Sequence, residues 1–391
     1  AHDWKTMGKW MYEELIKGHD EVSPQTQYEV LKLVQDIKDP IEKTKKIYQY
    51  VQNNTRYISV QVGIGGWEPI NAASVDNTKY GDCKGLTNYT KALLKVAGIE
   101  SYYTVVYADE YPINIDEEFA SIQGNHVILN IPGENGDTWL ECTSQTAPFG
   151  FLGTFTDNRN VLVITPEGGI IKKTPKYNEV NNHMETKATY KIQENGDLSG
   201  EVAILTKGTQ FHYRSVLNRY MKDEIERYYK DYWSHVNNLN IKDYAFTNDK
   251  ENIVFTEKIK VSANSYASSA GDRLIFPVNA FNVNKSVPDR YRDRKLPFII
   301  TRGYLDEDEF LVYLPKGYQL EAQPEKVEIE NKFGSYSMHI TVNPDHTITY
   351  KRKVLILAGT HPKSDYNQFR DFKKNINQHD NAKIVLVKKQ T

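Results

Sequence analysis

The feature that most constrains this chain is the segment YGDCKGL at residues 80–86, which puts a cysteine at the start of a predicted helix. Asp82 can cap that helix, apolar residues recur at helical spacing over residues 86–97, and Gly98 ends the pattern. The N-terminus of a helix favours the thiolate form of cysteine, which is the form that attacks carbonyl carbons. We therefore predict that Cys83 is a nucleophile; the alternative is a buried structural thiol.

A nucleophilic cysteine needs a base and a group that orients the base. His126 begins HVILNI, a run rich in β-branched residues, and Glu141 lies in TWLECT, the next run of this kind. The turn-forming stretch PGENGD separates the two runs, so we predict a β-hairpin that carries both residues. His126 is the candidate base and Glu141 the candidate acid, and an ordinary hydrogen-bonded surface histidine is the alternative.

These residues resemble the transglutaminase-core superfamily of papain-related cysteine enzymes. The resemblance is carried by YGDCKGLTNYTKALLKVAGIESYYTVV, NHVILNI and WLECT, and it extends back through KIYQYVQNNTRYISVQVGIGGWEP. Members of the superfamily carry a Cys, His, Asp triad on a helix and the two strands that follow. By this resemblance, specific over roughly residues 25–155, Cys83 is the nucleophile, His126 the base and Glu141 the orienting acid.

The longer match resembles an exported bacterial subset, whose members are usually described as "putative proteases". It implies a periplasmic or cell-envelope location and a peptide or protein substrate. The predicted fold class is α+β. We expect a helical lead-in at residues 1–22, a transglutaminase-like catalytic core of helices and antiparallel sheet at 23–178, and a mostly β domain with two helices at 179–391.

One position departs from the pattern of the superfamily, because Glu141-Cys142-Thr143 stands where Asp-Xaa-Thr is usual. The extra methylene of glutamate moves the carboxylate by about one bond length, and misplacement on the order of an angstrom can cost about a hundredfold in rate. Reduced or absent activity is therefore an open alternative. Asp137, at the preceding turn, is a weaker substitute for the acid, and Cys142 is expected to point to the opposite face and into the core.

Acyl transfer also needs hydrogen-bond donors for the oxyanion, and the backbone N–H of Cys83 is one of them. Gln61, on the predicted strand YISVQV, is the first candidate for the second donor, by loose analogy with the glutamine upstream of the nucleophile in papain-like enzymes. Trp67 is the other candidate, since an indole N–H can only donate. A solvent-facing role for Gln61 and a packing role for Trp67 are the alternatives.

Composition excludes several other classes of protein. The 391 residues are 39% hydrophobic, which suits two or three cores of a multidomain soluble protein, and no apolar run approaches the roughly 18 residues of a membrane span. The net charge is −2 and the lysines are scattered among acids, so nucleic-acid binding is not expected. Histidines and cysteines share no metal-ligand spacing, so we predict no metal and no other cofactor.

Three properties are not fixed by the residues themselves. The sequence begins at Ala1 without a basic segment and an apolar run, so we expect that any export signal has been removed or lies outside it. Cys83 and Cys142 do not make a disulfide framework, and they do not identify a compartment. Oligomeric state is also left open.

The second half of the chain alternates apolar and polar residues between turn signals, which predicts β-hairpins. We predict that two helices interrupt these strands, a long one over residues 211–233 and a shorter one over 364–377. A long surface loop is predicted over residues 277–298.

The sequence therefore predicts a cysteine-dependent acyl-transfer enzyme, in the first instance an amide or peptide hydrolase. Two alternatives stay open. One is a catalytically degenerate transglutaminase-like module that binds peptide or glycan in the cell envelope. The other is a cross-linking transglutaminase, in which an amine replaces water.

Overall fold

A computed structural model describes residues 2–59 and 66–390 of the protein. The chain divides into two compact units, an N-terminal unit of residues 1–176 and a C-terminal unit of residues 177–391. Helices and an antiparallel sheet build the first unit, and strands dominate the second. The predicted α+β class, with a mostly β C-terminal region, is confirmed.

Helices come first in the N-terminal unit. Those with α-helical geometry are α1 (Trp4–Met11), α2 (Pro24–Val34), α3 (Pro40–Asn54), α4 (Ala72–Thr78) and α5 (Cys83–Val96). A cap followed by proline starts two of them: the Ser23 side chain accepts a hydrogen bond before α2, and the Asp39 side chain accepts one before α3. The predicted helix with Cys83 in its first turn is confirmed, and it ends at Val96.

Five antiparallel strands follow a short parallel pair. The pair is β1 (Arg56–Tyr57) and β2 (Tyr80–Gly81), and the sheet consists of β3 (Tyr102–Val106), β4 (His126–Ile131), β5 (Thr138–Leu140), β6 (Asn160–Thr165) and β7 (Gly168–Lys173). Its strand order is β5-β4-β3-β6-β7. The predicted hairpin is confirmed, because β4 and β5 pair in antiparallel register with Leu129 opposite Leu140. Of the predicted strand YISVQV, only Tyr57 belongs to β1, and Val60, Gln61 and Val62 lie outside the described residues.

The apolar core between α5 and the sheet holds the site in place. Leu86, Tyr89 and Leu93 of α5 are buried in one cluster with Leu129 of β4 and Leu140 of β5. At the other end of the sheet, α1 packs on β7. A Cβ on its Gly8 would come within 2.2 Å of the Gly169 backbone, which is why the helix can lie so close to the strand.

The C-terminal unit is built around one large sheet. Its eight strands, in spatial order, are β10 (Leu239–Asp249), β11 (Val254–Ala263), β9 (Leu198–Lys207), β8 (His183–Ile192), β15 (Tyr304–Tyr313), β19 (Thr347–Ile356), β18 (Gly334–Val342) and β17 (Val327–Asn331). All pair antiparallel except β8 with β15, which run parallel. Smaller sheets are made by β12 (Ser268–Ala270), β13 (Arg273–Pro277), β14 (Phe298–Ile300), β16 (Tyr318–Ala322), β20 (Gly359–His361) and β21 (Lys383–Lys388).

The prediction of one long helix over residues 211–233 is wrong. The segment forms α6 (Gly208–Arg214), a 3₁₀ turn (Ser215–Arg219) and α7 (Lys222–Tyr232). The chain is extended just before α7, where Met221 has ψ 163°, and the Glu224 carboxylate accepts a hydrogen bond from the Met221 N–H at 2.8 Å. This cap starts a new helix, so the hydrophobic period continues while the backbone hydrogen bonds do not.

Of the other two predictions for this unit, the shorter helix is confirmed, whereas the long surface loop is confirmed only in part, because residues 278–282 are buried. The shorter helix is α8 (Tyr366–Asp380), and a connection without helix or strand joins β13 to β14 across residues 278–297. Within residues 2–59 and 66–390, no helix is both long enough and apolar enough to cross a membrane.

Candidate active site

Cys83 is the first residue of α5 and is 4% exposed. The Asp82 side chain caps the helix by accepting a hydrogen bond from the Gly85 N–H at 2.9 Å. As the first helical residue, Cys83 has no partner for its own N–H inside the helix. The sulfur therefore lies at the positive end of a helix, beside a backbone donor.

A buried ion pair surrounds the cap. Asp82 is 1% exposed and pairs with the amine of Lys84, which is also buried. Asp82 thus caps the start of the helix and also pairs with the charge of Lys84. The two interactions fix the backbone on either side of Cys83. The sequence analysis assigned Asp82 only the capping role, because nothing in the spacing shows that Lys84 turns back toward it.

His126 and Glu141 meet across the hairpin, although β5 ends at Leu140 and Glu141 follows it. The Nε2 atom of His126 lies 2.9 Å from Glu141 Oε2 and 3.2 Å from Oε1. Both side chains are 10% exposed. The carboxylate is held on its other side by Thr143, whose N–H and hydroxyl donate to Oε1 at 3.1 and 2.5 Å. The extra methylene of glutamate therefore leaves the carboxylate in contact with the ring.

The two groups change each other's protonation. Burial favours the neutral imidazole, but the charge of Glu141 and interactions with Cys83 outweigh it and raise the pKa of His126 to about 10. Burial also acts against the Glu141 carboxylate, yet the His126 charge and the hydrogen bonds from Thr143 hold the pKa of Glu141 below its usual value. At neutral pH the pair is an imidazolium beside a carboxylate.

Cys83 lies within interaction range of the His126 ring and contributes to its raised pKa. Because Nε2 faces Glu141, the ring presents its other nitrogen, Nδ1, to the sulfur.

Two residues near the site have structural surroundings. Asp137 accepts hydrogen bonds from Lys172 at 2.6 Å and from Asn130 at 2.9 Å, so its carboxylate is already engaged away from His126. Cys142 is 4% exposed and packs in the apolar core with α5, as its position next to Glu141 predicts. Burial, as the largest cause, raises the pKa of the Cys142 thiol to about 12.

Of the two candidates for the second oxyanion donor, only Trp67 lies in the described part of the chain. Gln61 lies outside the described residues. Trp67 lies in a turn and is 42% exposed. Their roles remain predictions.

Two aromatic residues near the site were missed by the sequence analysis. The ring of Phe155, which is 46% exposed, lies edge-on to the His126 ring with centroids 5.6 Å apart. Tyr103 of β3 is buried in one cluster with Cys83. Burial, followed by electrostatic interactions with Cys83 and Asp82, raises the pKa of Tyr103 well above its usual value, so its hydroxyl stays protonated. Neither residue stands at a motif position, and each reaches the site through the packing of the sheet.

Among the described residues, no group of three or more histidine, cysteine or acidic side chains is placed to hold a metal ion.

Two family models match the chain. Residues 30–145 match the transglutaminase-like superfamily, and residues 272–386 match a domain of unknown function (DUF3858). Among solved structures, the chain is similar to the crystal structure of a "putative protease" from Parabacteroides distasonis, with 15% identity and a TM-score of 0.56. That match covers 97% of this chain but 58% of the other, so this chain spans less than two thirds of that protein. At this identity the similarity shows a shared fold. No curated protein matches the chain.

Proposed function

We propose that this chain, whose residues 30–145 belong to the transglutaminase-like superfamily, is a cysteine-dependent acyl-transfer enzyme that hydrolyses amide or peptide bonds. The observation that carries the proposal is the succession of contacts from Cys83 to the His126 ring and from that ring to Glu141. The Cys83 sulfur lies near both a helix N-terminus and an imidazolium ring, and such surroundings favour a thiolate.

In the first half of the reaction, the Cys83 thiolate attacks the carbonyl carbon of the amide. The carbon–sulfur bond forms, and the carbonyl electrons move to oxygen, where the Cys83 N–H donates a hydrogen bond to the oxyanion. His126 then gives its Nδ1 proton to the amide nitrogen as the carbon–nitrogen bond breaks. The amine leaves, and a thioester remains on Cys83.

In the second half, water attacks the thioester carbonyl and gives a proton to the neutral Nδ1 of His126. The carbon–sulfur bond breaks, the acid product leaves, and the thiolate–imidazolium pair is restored. Glu141 holds Nε2 throughout, which fixes the orientation of the ring and stabilises its charge.

The substrate class proposed is a peptide or protein, by the resemblance to cysteine proteases and the similarity to a "putative protease" structure. The proposed location is the periplasm or cell envelope, which rests on the resemblance to exported members alone.

The experiment is alkylation of the protein with iodoacetamide at pH 6, followed by mass spectrometry of each cysteine peptide. A free thiol is almost entirely protonated at this pH, so an activated Cys83 should react at least about tenfold faster than free cysteine. Cys142 should stay unlabelled, because it is buried and protonated.

Two variants control the experiment. Cys142→Ala should leave the labelling rate unchanged, and His126→Ala should reduce the rate at Cys83 to that of a buried or free thiol. Labelling of Cys83 no faster than free cysteine in the folded protein would count against an enzyme. In that case a peptide that binds equally well to Cys83→Ala would support the degenerate binding module. Transfer of a labelled amine onto the acyl group would identify the cross-linking reaction.

A further inference from the structure

The C-terminal unit contains a cavity of about 620 Å³ that no part of the proposed reaction uses. It lies beside α7, β8 and β15, and its volume is that of a small-molecule site. The side chains discussed below that line it are Gln210, Tyr213, Tyr232, Lys285, Tyr304, Asp306 and Arg352.

Arg352 lines the cavity, and its positive charge is already paired within the protein. Its Nε and Nη2 atoms lie 2.6 and 2.8 Å from the two oxygens of Asp380, and Nη1 lies 2.7 Å from Asp308 Oδ2. All three residues are 4% exposed or less. One guanidinium thus serves two carboxylates, and neither of these acids is available for a ligand.

Asp306 is a buried charge that the fold does not satisfy. It is 8% exposed, and its hydrogen bonds come from neutral amides, that of Gln210 at 2.8 Å to Oδ1 and that of Asn282. No cation in the described chain forms an ion pair with it, and Arg352 and Lys373 act on it only from longer range. A buried carboxylate without a cation is costly unless a partner arrives.

The protonation of Asp306 agrees with this reading. Burial is the largest influence and raises the pKa of Asp306 above its usual value, although Arg352 and Lys373 act in the opposite direction. Lys373 does not supply the missing partner, since its amine donates to the Tyr304 hydroxyl at 3.4 Å. Burial also lowers the pKa of Lys373, to about 8.

The walls of the cavity suit an organic cation. Tyr213, Tyr232 and Tyr304 line it, and Tyr232 already has the Arg214 guanidinium 4.6 Å from its ring centroid. Aromatic faces attract cations, and a buried carboxylate adds a charged partner. At the rim, the Lys285 amine donates to the Tyr232 carbonyl oxygen at 2.7 Å and to Ser234 Oγ at 2.9 Å.

We propose that this cavity binds a ligand that carries a primary ammonium group, and that the ammonium pairs with the Asp306 carboxylate between the tyrosine rings. The ligand class is a small organic amine or a lysine side chain. The residues of this site all belong to the C-terminal unit, whereas Cys83 belongs to the N-terminal unit.

The test compares two compounds that differ in the ammonium alone. N-acetyl-lysine methylamide and N-acetyl-norleucine methylamide share the same backbone and alkyl stem. We expect calorimetry to show saturable binding of the lysine compound. The norleucine compound should bind at least about tenfold more weakly, because it cannot form the charge-assisted hydrogen bond. Equal affinity for the two, or no binding of the lysine compound, would overturn the proposal.

Variants locate the site. Asp306→Asn keeps the side-chain shape and should weaken binding of the lysine compound at least about tenfold. Asp231→Asn removes an exposed carboxylate from the rim and should leave affinity within about twofold. Equal losses in the two variants would indicate a general charge effect and overturn the proposal. The proposal would also be overturned if an uncharged disaccharide such as maltose bound the protein with an affinity that Asp306→Asn does not change.

Cys83→Ala separates this proposal from the hydrolase. The variant should bind the lysine compound as the unchanged protein does. Failure of the hydrolase would leave that binding intact, whereas failure of the amine site would leave Cys83 labelling intact.

Discussion

The N-terminal unit buries His126 and Glu141 beside a cysteine, whereas the C-terminal unit buries Arg352 between Asp308 and Asp380. Both sites remove charge from water, and both use short hydrogen bonds. A guanidinium cannot lose its proton in a protein, and its two acids occupy it on both sides. An imidazole can change its protonation, and one of its nitrogens faces a thiol that can form a covalent bond.

Burial of a charge therefore does not by itself mark a functional site. What distinguishes the His126 site from the Arg352 site is whether every face of the charged group is occupied by a permanent partner. The C-terminal unit repeats its arrangement at Arg214, which pairs with Glu257 while Tyr229 donates to the same carboxylate at 2.6 Å. Such networks give little net stability relative to an apolar core, but they are costly to break.

The largest expected effect tests the proposed reaction at Cys83, His126 and Glu141. Cys83→Ala should lower turnover of a peptide substrate by a factor on the order of 10⁴ or more, as removal of a nucleophile does in enzymes with a triad. Its free energy of unfolding should fall by only about 1 kcal/mol, because one buried sulfur is lost. Turnover that survives the substitution within tenfold would place the reaction elsewhere.

The second-largest effect tests the Arg352 site, where every charged group has a permanent partner. Arg352→Ala leaves Asp308 and Asp380 buried without their cation and should destabilise the protein by about 3–5 kcal/mol. Chemical denaturation of the whole protein measures this change. Arg273→Ala is the matched control, because Arg273 pairs with Glu321 at the surface, and it should reduce the stability far less. Similar losses in the two variants would remove the distinction between a buried and an exposed guanidinium.

A third prediction uses the protonation of His126. Glu141→Gln should reduce the free energy of unfolding by about 1.5–3 kcal/mol near pH 6, where the charged pair is complete. The pKa of His126 rises on folding from 6.5 to about 10, so the stabilisation is full below pH 6.5 and is lost as the pH rises toward 10. The pKa of Glu141 falls on folding, so the contribution of Glu141 to stability is present above pH 4.5. This contribution is lost as the pH falls through the pKa of Glu141 in the folded protein.

Denaturation of both proteins between pH 5 and pH 10 measures the difference. The gap between the unchanged protein and the variant should narrow steadily above pH 6.5. A gap that stays constant across this range would mean that His126 is neutral in the folded protein.

The smallest effect concerns Phe155, whose ring lies against His126. Phe155→Ala should change the rate of Cys83 alkylation by only a few-fold, since one edge-on aromatic contact stabilises by about 0.5–1.5 kcal/mol. Phe119→Ala, another exposed phenylalanine of the same unit, is the control and should leave the rate unchanged. A rate that does not respond to Phe155→Ala would show that the ring does not influence the imidazole.

The sequence predicted the parts of the site that local patterns encode. Asp82 before an amphipathic run gives the helix start, and β-branched runs on either side of PGENGD give the hairpin that joins His126 to Glu141. Both signals operate over a few residues. The break between α6 and α7 was missed for the same reason, because the cap from Glu224 to Met221 interrupts a hydrophobic period that continues through it.

The parts that could not be predicted depend on residues distant in sequence. Lys172 reaches Asp137 from another strand, and Arg352 meets Asp308 and Asp380 only after the eight-stranded sheet has formed. Charged residues are usually exposed, so each of these reads as surface in isolation. The contact between Thr143 and Glu141 spans two residues, yet it depends on the direction of the chain after β5.

The parallel pairing of β8 with β15 has a consequence for synthesis of the chain. When β8 emerges from the ribosome, β9 can cover one of its edges at once by forming a hairpin. Its opposite edge has no strand until residues Tyr304–Tyr313 have been translated. During that interval an alternating apolar strand presents open backbone groups, which is the state that invites pairing with another nascent chain. Completion of the C-terminal unit should therefore be the slow, aggregation-sensitive step in making this protein.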